Sequence, residues 1–201
     1  MLDKYGAGQD PYCYPNTKVL INKFGIKDEK ILQEAEREIT TVALKDIFFS
    51  SPPYNLNYLK NIHDTLFSHI YDWAGKIRTV DIAKQETLFC TCSRIEPEAN
   101  KNFLSLKKKD YFLNNTNEIF IKNIAELYAD LNMIHPFREG NGRVQRLLFE
   151  HIVLNCGYII DWGTVSTETW ITANIHGVNC DFKPLEKIFQ LALSKFNTTT
   201  L

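Results

Sequence analysis

"HPFREGNGRVQR", residues 135–146, decides how this chain is read. It gathers a histidine, a carboxylate, three arginines and two glycines flanking an asparagine. An apolar helical run through Phe120, Ile124, Leu127, Leu131 and Ile134 leads into it, opening near Asn115 with Glu118 three places on, a capping-box arrangement. Pro136 disfavours helical geometry at His135, so that helix should end there. "EGNG" then turns the chain, and a new helix begins around Asn141 with Val144, Leu147, Leu148 and Ile152 on one face and Gly157 as its terminator.

Two helix ends meeting at this turn have a chemical consequence. The amides of Gly140, Asn141, Gly142 and Arg143 are the donors of a helix N-terminus, a ready anion site, and glycine lets the backbone approach the anion closely. Arg143 and Arg146 lie three apart on one helical face and can grip two successive phosphates. Glu139 is a hard oxygen ligand beside them, as a Mg²⁺ bridging phosphate oxygens requires. In this positive field His135 is expected to stay neutral and able to accept a proton. These residue types in this order predict a phosphate or nucleotide site. No G-x-x-x-x-G-K-[ST] occurs, no G-x-G-x-x-G follows a strand, and there is no H-E-x-x-H; His63, His69 and His151 have no spacing that collects a metal with His135.

Helical periodicity continues on both sides. From Asp28, a plausible N-cap, Ile31, Leu32, Ala35, Ile39 and Val42 recur at helical spacing. From about Asn55, a second run through Leu59, Ile62, Leu66, Ile70 and Trp73 stops at Gly75. Later runs span Ser166 to Ile175 and Pro184 to Phe196, with Pro184 suited to a first helical position. Residues 76–95 differ: Ile77, Val80, Ile82, then Leu88, Cys90 and Cys92 alternate around a turn-like "KQET". This predicts a β-hairpin on a helical body, with Cys90 and Cys92 on one strand face. Its edge could take an extended peptide by strand addition.

With 201 residues, no internal repeat and no linker, the chain is expected to be one domain. Its 23 basic residues nearly cancel 24 acidic ones, so whole-chain charge points to neither nucleic acid nor a membrane surface, and any anion site is local. No signal-like or membrane-spanning stretch is visible, and five scattered cysteines suit a reducing compartment; a cytoplasmic protein is expected.

The motif resembles in full that of the Fic family, H-x-F-x-[D/E]-G-N-G-R-x-x-R. The stretches "DPYCYPNTKVLINKFGIKDEKILQEAE", "IHDTLFSHIYDWAGKIRTVDI" and "LNMIHPFREGNGR" extend the resemblance over nearly the whole chain, to the toxin-like bacterial cell filamentation branch. It implies a mainly α Fic-type domain with a β-hairpin flap: a core of about 55–195 and an N-terminal helical extension, 1–54. It also implies transfer of AMP from ATP to a Tyr, Ser or Thr hydroxyl of a target protein, with Mg²⁺ as cofactor.

By position the resemblance makes His135 the base and Phe137 the loop's core anchor. Glu139 becomes the Mg²⁺ ligand on the α- and β-phosphates, and Gly140, Asn141 and Gly142 the anion hole. Arg143 pairs with the β-phosphate and Arg146 with the γ-phosphate. The hairpin, about 80–94, becomes the flap that holds the target segment. Gly142 sets the chain apart from the phosphorylating death-on-curing relatives, which carry lysine there.

Many relatives are self-inhibited by [S/T]-x-x-x-E-[G/N]. The nearest approach here, "TVSTET" at Thr164–Thr169, carries Glu168 but ends in threonine, so the resemblance implies a separate small antitoxin chain acting against Arg146. It offers a type II topoisomerase, DNA gyrase or topoisomerase IV, as target, although no residue encodes that choice. Other transfers on the same scaffold, removal of AMP, and a non-catalytic protein-binding module are the alternatives.

Overall fold

Asn117–Ile134 forms the longest helix and the one on which most of the others pack. The computed structural model describes residues 10–84 and 87–196. Among the described residues there are seven α-helices: α1 (Glu29–Ala43), α2 (Leu56–Phe67), α3 (Ile95–Lys108), α4 (Asn117–Ile134), α5 (Asn141–Asn155), α6 (Thr167–Val178) and α7 (Lys183–Ala192). Two short antiparallel pairs complete the chain, β1 (Ala83–Lys84) with β2 (Thr87–Leu88), and β3 (Tyr158–Ile160) with β4 (Leu193–Lys195). The protein is mainly α, as its periodicity predicts.

The caps explain why two helices start where they do. Asp28 accepts from the amides of Lys30 and Ile31 at 2.9 and 3.0 Å, and Asn55 from that of Tyr58 at 2.8 Å. Each such cap contributes about 1 kcal/mol. α4 packs against α3, α5, α6 and α7, and α5 lies between α4 and α2. Ile124 and Ala125 of α4 and Val144, Leu148 and Ile152 of α5 are wholly buried, which clamps the two helices that meet at the motif. Cys13, Val19 and Leu20 of the N-terminal segment join the same core.

Several expectations are corrected. The second helix ends at Phe67, not Gly75. Beyond it the amides of Ile70 and Tyr71 both fold back on the Phe67 carbonyl at 2.9 Å, burying their side chains in a turn that mimics helical periodicity. α4 starts after Thr116, and Glu118 pairs with Lys122 at 2.9 Å rather than closing a capping box. Pro184 is the second residue of α7, after Lys183. The final run ends at Ala192, because residues 193–195 pair with β3, a long-range contact that no local pattern announces.

α3 is not among the helical runs named above, although Ile95, Ala99, Phe103 and Leu106 recur at helical spacing and are all buried. Pro97 near its start is tolerated because the first-turn amides lack helical acceptors anyway. Of the stripe expected on α1, Leu32 is buried but Ile31 and Val42 are exposed. The hairpin ladder is shorter than predicted, pairing only Ala83 with Leu88 and Lys84 with Thr87; Gln85 and Glu86 in the "KQET" turn lie outside the described residues. Cys90 and Cys92 do not share a strand, since the Cys90 amide bonds the Met133 carbonyl and Cys92 opens a 3₁₀ turn.

Candidate active site

Everything in the motif follows from one kink. His135 caps α4 in the left-handed region, φ +45°, and α5 begins six residues later from Gly140, also left-handed at φ +80°. Left-handed backbone at a non-glycine residue costs roughly 1–3 kcal/mol, so it must be held from outside. Several groups do this.

Phe137 is fully buried, its ring 4.0 Å from that of His63. Such burial contributes about 1.5–3 kcal/mol. Asn141 staples the loop from inside: its Oδ1 accepts from the Phe137 amide at 2.9 Å and its Nδ2 donates to the Phe137 carbonyl at 2.7 Å. Buried Arg138 pairs with Asp10, tying the N-terminal segment to the loop through its Nε at 2.8 Å.

His63 holds the loop from α2. Its Nε2–H donates to the Glu139 carbonyl at 3.1 Å while its Nδ1 accepts from the Gly75 amide at 2.9 Å, so both nitrogens are committed to the neutral ring. Burial is the main cause that pushes its pKa from 6.5 down to about 4, with the nearby Arg143 cation adding to it. A histidine depressed in the fold lends stability that is complete above pH 6.5 and is lost as the pH falls toward 4. At about 1.4 kcal/mol per unit this amounts to about 3 kcal/mol. Urea unfolding at pH 7 and pH 4.5 should show that slope. His63→Leu, which cannot titrate, should flatten it over the same interval.

A cleft of about 360 Å³ opens between the kink, the hairpin and α6. It is lined by His135, Arg138, Glu139, Asn141, Gly142 and Arg146 from the motif, by Ile82, Ala83 and Phe89 from the hairpin region, and by Trp162 and Trp170 opposite. The His135 Nδ1 lies 2.8 Å from the Asn132 carbonyl. A carbonyl only accepts, so Nδ1 carries the proton and the basic lone pair of the neutral ring falls on Nε2. Phe89 stacks on the imidazole, centroids 3.8 Å apart and planes 12° from parallel.

The Glu139 Oε1 accepts from the Gly140 amide at 3.1 Å. The amides of Asn141 and Gly142 head α5, where a helix has no acceptors for them. Arg146 Nε donates to the Gly142 carbonyl at 3.2 Å, which holds its exposed guanidinium across the cleft floor.

The structure therefore gathers His135, Glu139, Asn141, Gly142 and Arg146 around one space. It does not bring Gly140 or the Arg143 side chain to the lining. Gly140 sits beneath, against Phe67. Arg143 turns to α1, where it pairs with Glu36, donates to Thr40 Oγ1 at 3.3 Å and covers the Phe67 ring at 4.7 Å. Glu36 also accepts from Tyr71 Oη at 2.5 Å.

Glu168 lines the groove between α6 and α7, not the cleft that holds Arg146. Sequence reasoning passed over Arg78, Glu36, Phe89 and the loop-holding His63. For His63 a signal existed: it shares the buried face of α2 with Leu59 and Leu66.

A second, smaller slot of about 140 Å³ adjoins His135, walled by Phe89, Ile171, Ile175 and Val178 with Asn132 and Asn174 at its edge. Asn174 Nδ2 donates to the Trp170 carbonyl at 2.7 Å, and its buried Oδ1 has no hydrogen-bond partner among the described residues.

The profile of the Fic/DOC family matches residues 53–153, which contain α2, the hairpin, the kink and most of α5. The chain belongs to the Fic/DOC family. Over 199 residues it is 38% identical to a Salmonella typhimurium (strain LT2) protein named "Probable protein adenylyltransferase Fic", covering 99% of this chain and 100% of that one.

Solved Fic structures share the fold. The ADP-bound N-terminal Fic domain of a Bartonella quintana cell filamentation protein superposes with a TM-score of 0.83 at 28% identity, covering 92% of this chain and 94% of that one. BepC of Bartonella tribocorum, with bound AMPPNP, gives 0.82 at 26% identity, covering 92% and 96%. No α-helix among the described residues of this Fic protein is long and apolar enough to cross a membrane.

Proposed function

We propose that the cleft is the active site of a protein adenylyltransferase that moves AMP from ATP to a hydroxyl side chain of a target protein. One observation carries the reading: His135, in the tautomer that leaves Nε2 basic, faces the same cleft as the α5 N-terminus and Arg146. The target oxygen attacks the α-phosphorus in line, its proton passes to His135 Nε2, the bond from that phosphorus to the bridging oxygen breaks, and pyrophosphate leaves. Positioning and charge neutralisation supply most of the rate.

The polyphosphate lies over the Asn141 and Gly142 amides with its terminal group toward Arg146. Asn141 thus contributes its amide, its side chain being spent on the loop. Arg143, its guanidinium held by Glu36, would have to leave that carboxylate to meet the β-phosphate.

The residues present fit Mg²⁺. Among the described residues no cluster of three or more His, Cys, Asp or Glu side chains could hold a metal alone. A single carboxylate, Glu139, at the cleft matches an ion that keeps most of its ligands as water and phosphate oxygen. When bound, Mg²⁺ would neutralise charge on the α- and β-phosphates. The target segment lies along the hairpin at about 80–94, with a type II topoisomerase as candidate, and a separate antitoxin chain supplies the carboxylate against Arg146.

Incubating a lysate with the protein, Mg²⁺ and ATP labelled on either the α- or the γ-phosphate tests the reading. Label should enter protein only from the α position, with the mass of one AMP on a hydroxyl residue. Entry from the γ position would replace it with phosphoryl transfer.

A further inference from the structure

We infer that Arg78 is a positioning residue of the transfer reaction, the bolt that fastens both legs of the hairpin to the strained backbone of His135; the inference rests on the reading of His135 as base. Arg78 lies outside the cleft lining, and its side chain is completely buried. A buried guanidinium has five donors to satisfy, and here they fall on backbone carbonyls from two separate places. Nε donates to the His135 carbonyl at 2.8 Å and Nη2 to that of Ile134 at 3.4 Å, both at the end of α4. Nη1 donates to the Val80 carbonyl at 2.6 Å, on one leg of the hairpin, and Nη2 to the Cys90 carbonyl on the other. The Arg78 amide adds a bond to the Pro136 carbonyl at 2.9 Å, and the Cys90 amide one to Met133 at 2.9 Å.

Among the described residues the nearest carboxylate is Asp81, 3.7 Å from Nη1 and mostly exposed, and it also accepts from the Cys92 amide at 2.6 Å. The cation is therefore held largely by carbonyl dipoles, an arrangement that specifies geometry more than it adds stability. What it specifies is the left-handed turn at His135 and the seat of Phe89 on the imidazole, because Phe89 immediately precedes the Cys90 that Arg78 grips. A point-charge ammonium cannot reproduce a planar fork serving four carbonyls. A loose hairpin and a base free to leave its turn lose alignment at the α-phosphorus, whereas the phosphates stay on α5.

Steady-state AMP transfer by wild type, Arg78→Lys and Asp81→Ala, with ATP affinity measured by calorimetry and the folded fraction by circular dichroism, tests this. Arg78→Lys should lower kcat per folded molecule about 10- to 100-fold while ATP Kd and KM change less than about threefold. Asp81→Ala, at an exposed site that does not endanger folding, should lower kcat about three- to tenfold with the same unchanged Kd. Full kcat in a folded Arg78→Lys, or matched losses in kcat and ATP affinity, would overturn the positioning role. If Arg78→Lys does not fold, unchanged kcat in Asp81→Ala overturns it alone. A wild type that binds ATP but transfers no AMP fails the underlying reading instead.

Discussion

His135→Ala should reduce labelling of the target by about 10²- to 10⁴-fold while leaving ATP bound with nearly its original affinity. The split follows from the division of labour in the cleft. In the proposed arrangement the phosphates rest on the amides that head α5 and on Arg146, whose guanidinium is fixed through its own helix at the Gly142 carbonyl. None of these depends on the imidazole. The proton of the attacking hydroxyl does, because Asn132 fixes the tautomer that presents Nε2. Calorimetry with ATP alongside a labelling assay reads both quantities in one preparation. A comparable loss of ATP affinity would make His135 a binding group rather than a base.

Gly140→Ala should be the most destabilising single methyl in the motif, at about 2–4 kcal/mol. A Cβ on Gly140 would overlap the Cζ–Cε2 edge of the Phe67 ring. Phe67 cannot yield, being fully buried and covered by Arg143 at 4.7 Å and by His63 at 4.7 Å between centroids. Overpacking of this kind costs about 1–3 kcal/mol, and alanine at φ +80° adds about 1 more. For a domain of this size the melting temperature should fall by roughly 5–15 °C. Phe67→Leu made in the same chain should recover part of the loss, so that the double variant costs less than the sum of the singles. Gly142 is the contrast: its Cβ would meet only Arg146 Nη2 at 3.7 Å, so alanine there should leave the melt almost unchanged.

Much of the architecture can be read from local pattern because the physics is local. Asp28 and Asn55 are short acceptors placed ahead of apolar runs, and both cap. Pro136 forbids helix at His135, and Gly140 is the residue that can turn the chain into α5. Helix N-terminus, glycine and arginine spacing together announce an anion site whatever the rest of the chain does. The failures share the opposite character. The turn at Ile70 and Tyr71 keeps helical periodicity without being helix, and β4 exists only because β3 lies beside it.

The roles of the arginines show the same boundary. All three in the motif look alike in one dimension, yet Arg138 is buried against Asp10, Arg143 is drawn to Glu36 on α1, and Arg146 faces the cleft. Arg78 stands in an alternating stretch with nothing to mark it, and becomes the link between hairpin and base only once Val80, Cys90 and His135 converge on it. The caps at Asp28 and Asn55, the break before Pro136 and the turn into α5 depend on neighbours within four residues, so the order of amino acids alone determined them. Which cation faces the cleft, which meets a carboxylate and which braces the backbone depends on partners 12 to 128 residues away, and the packing of the helices decided that.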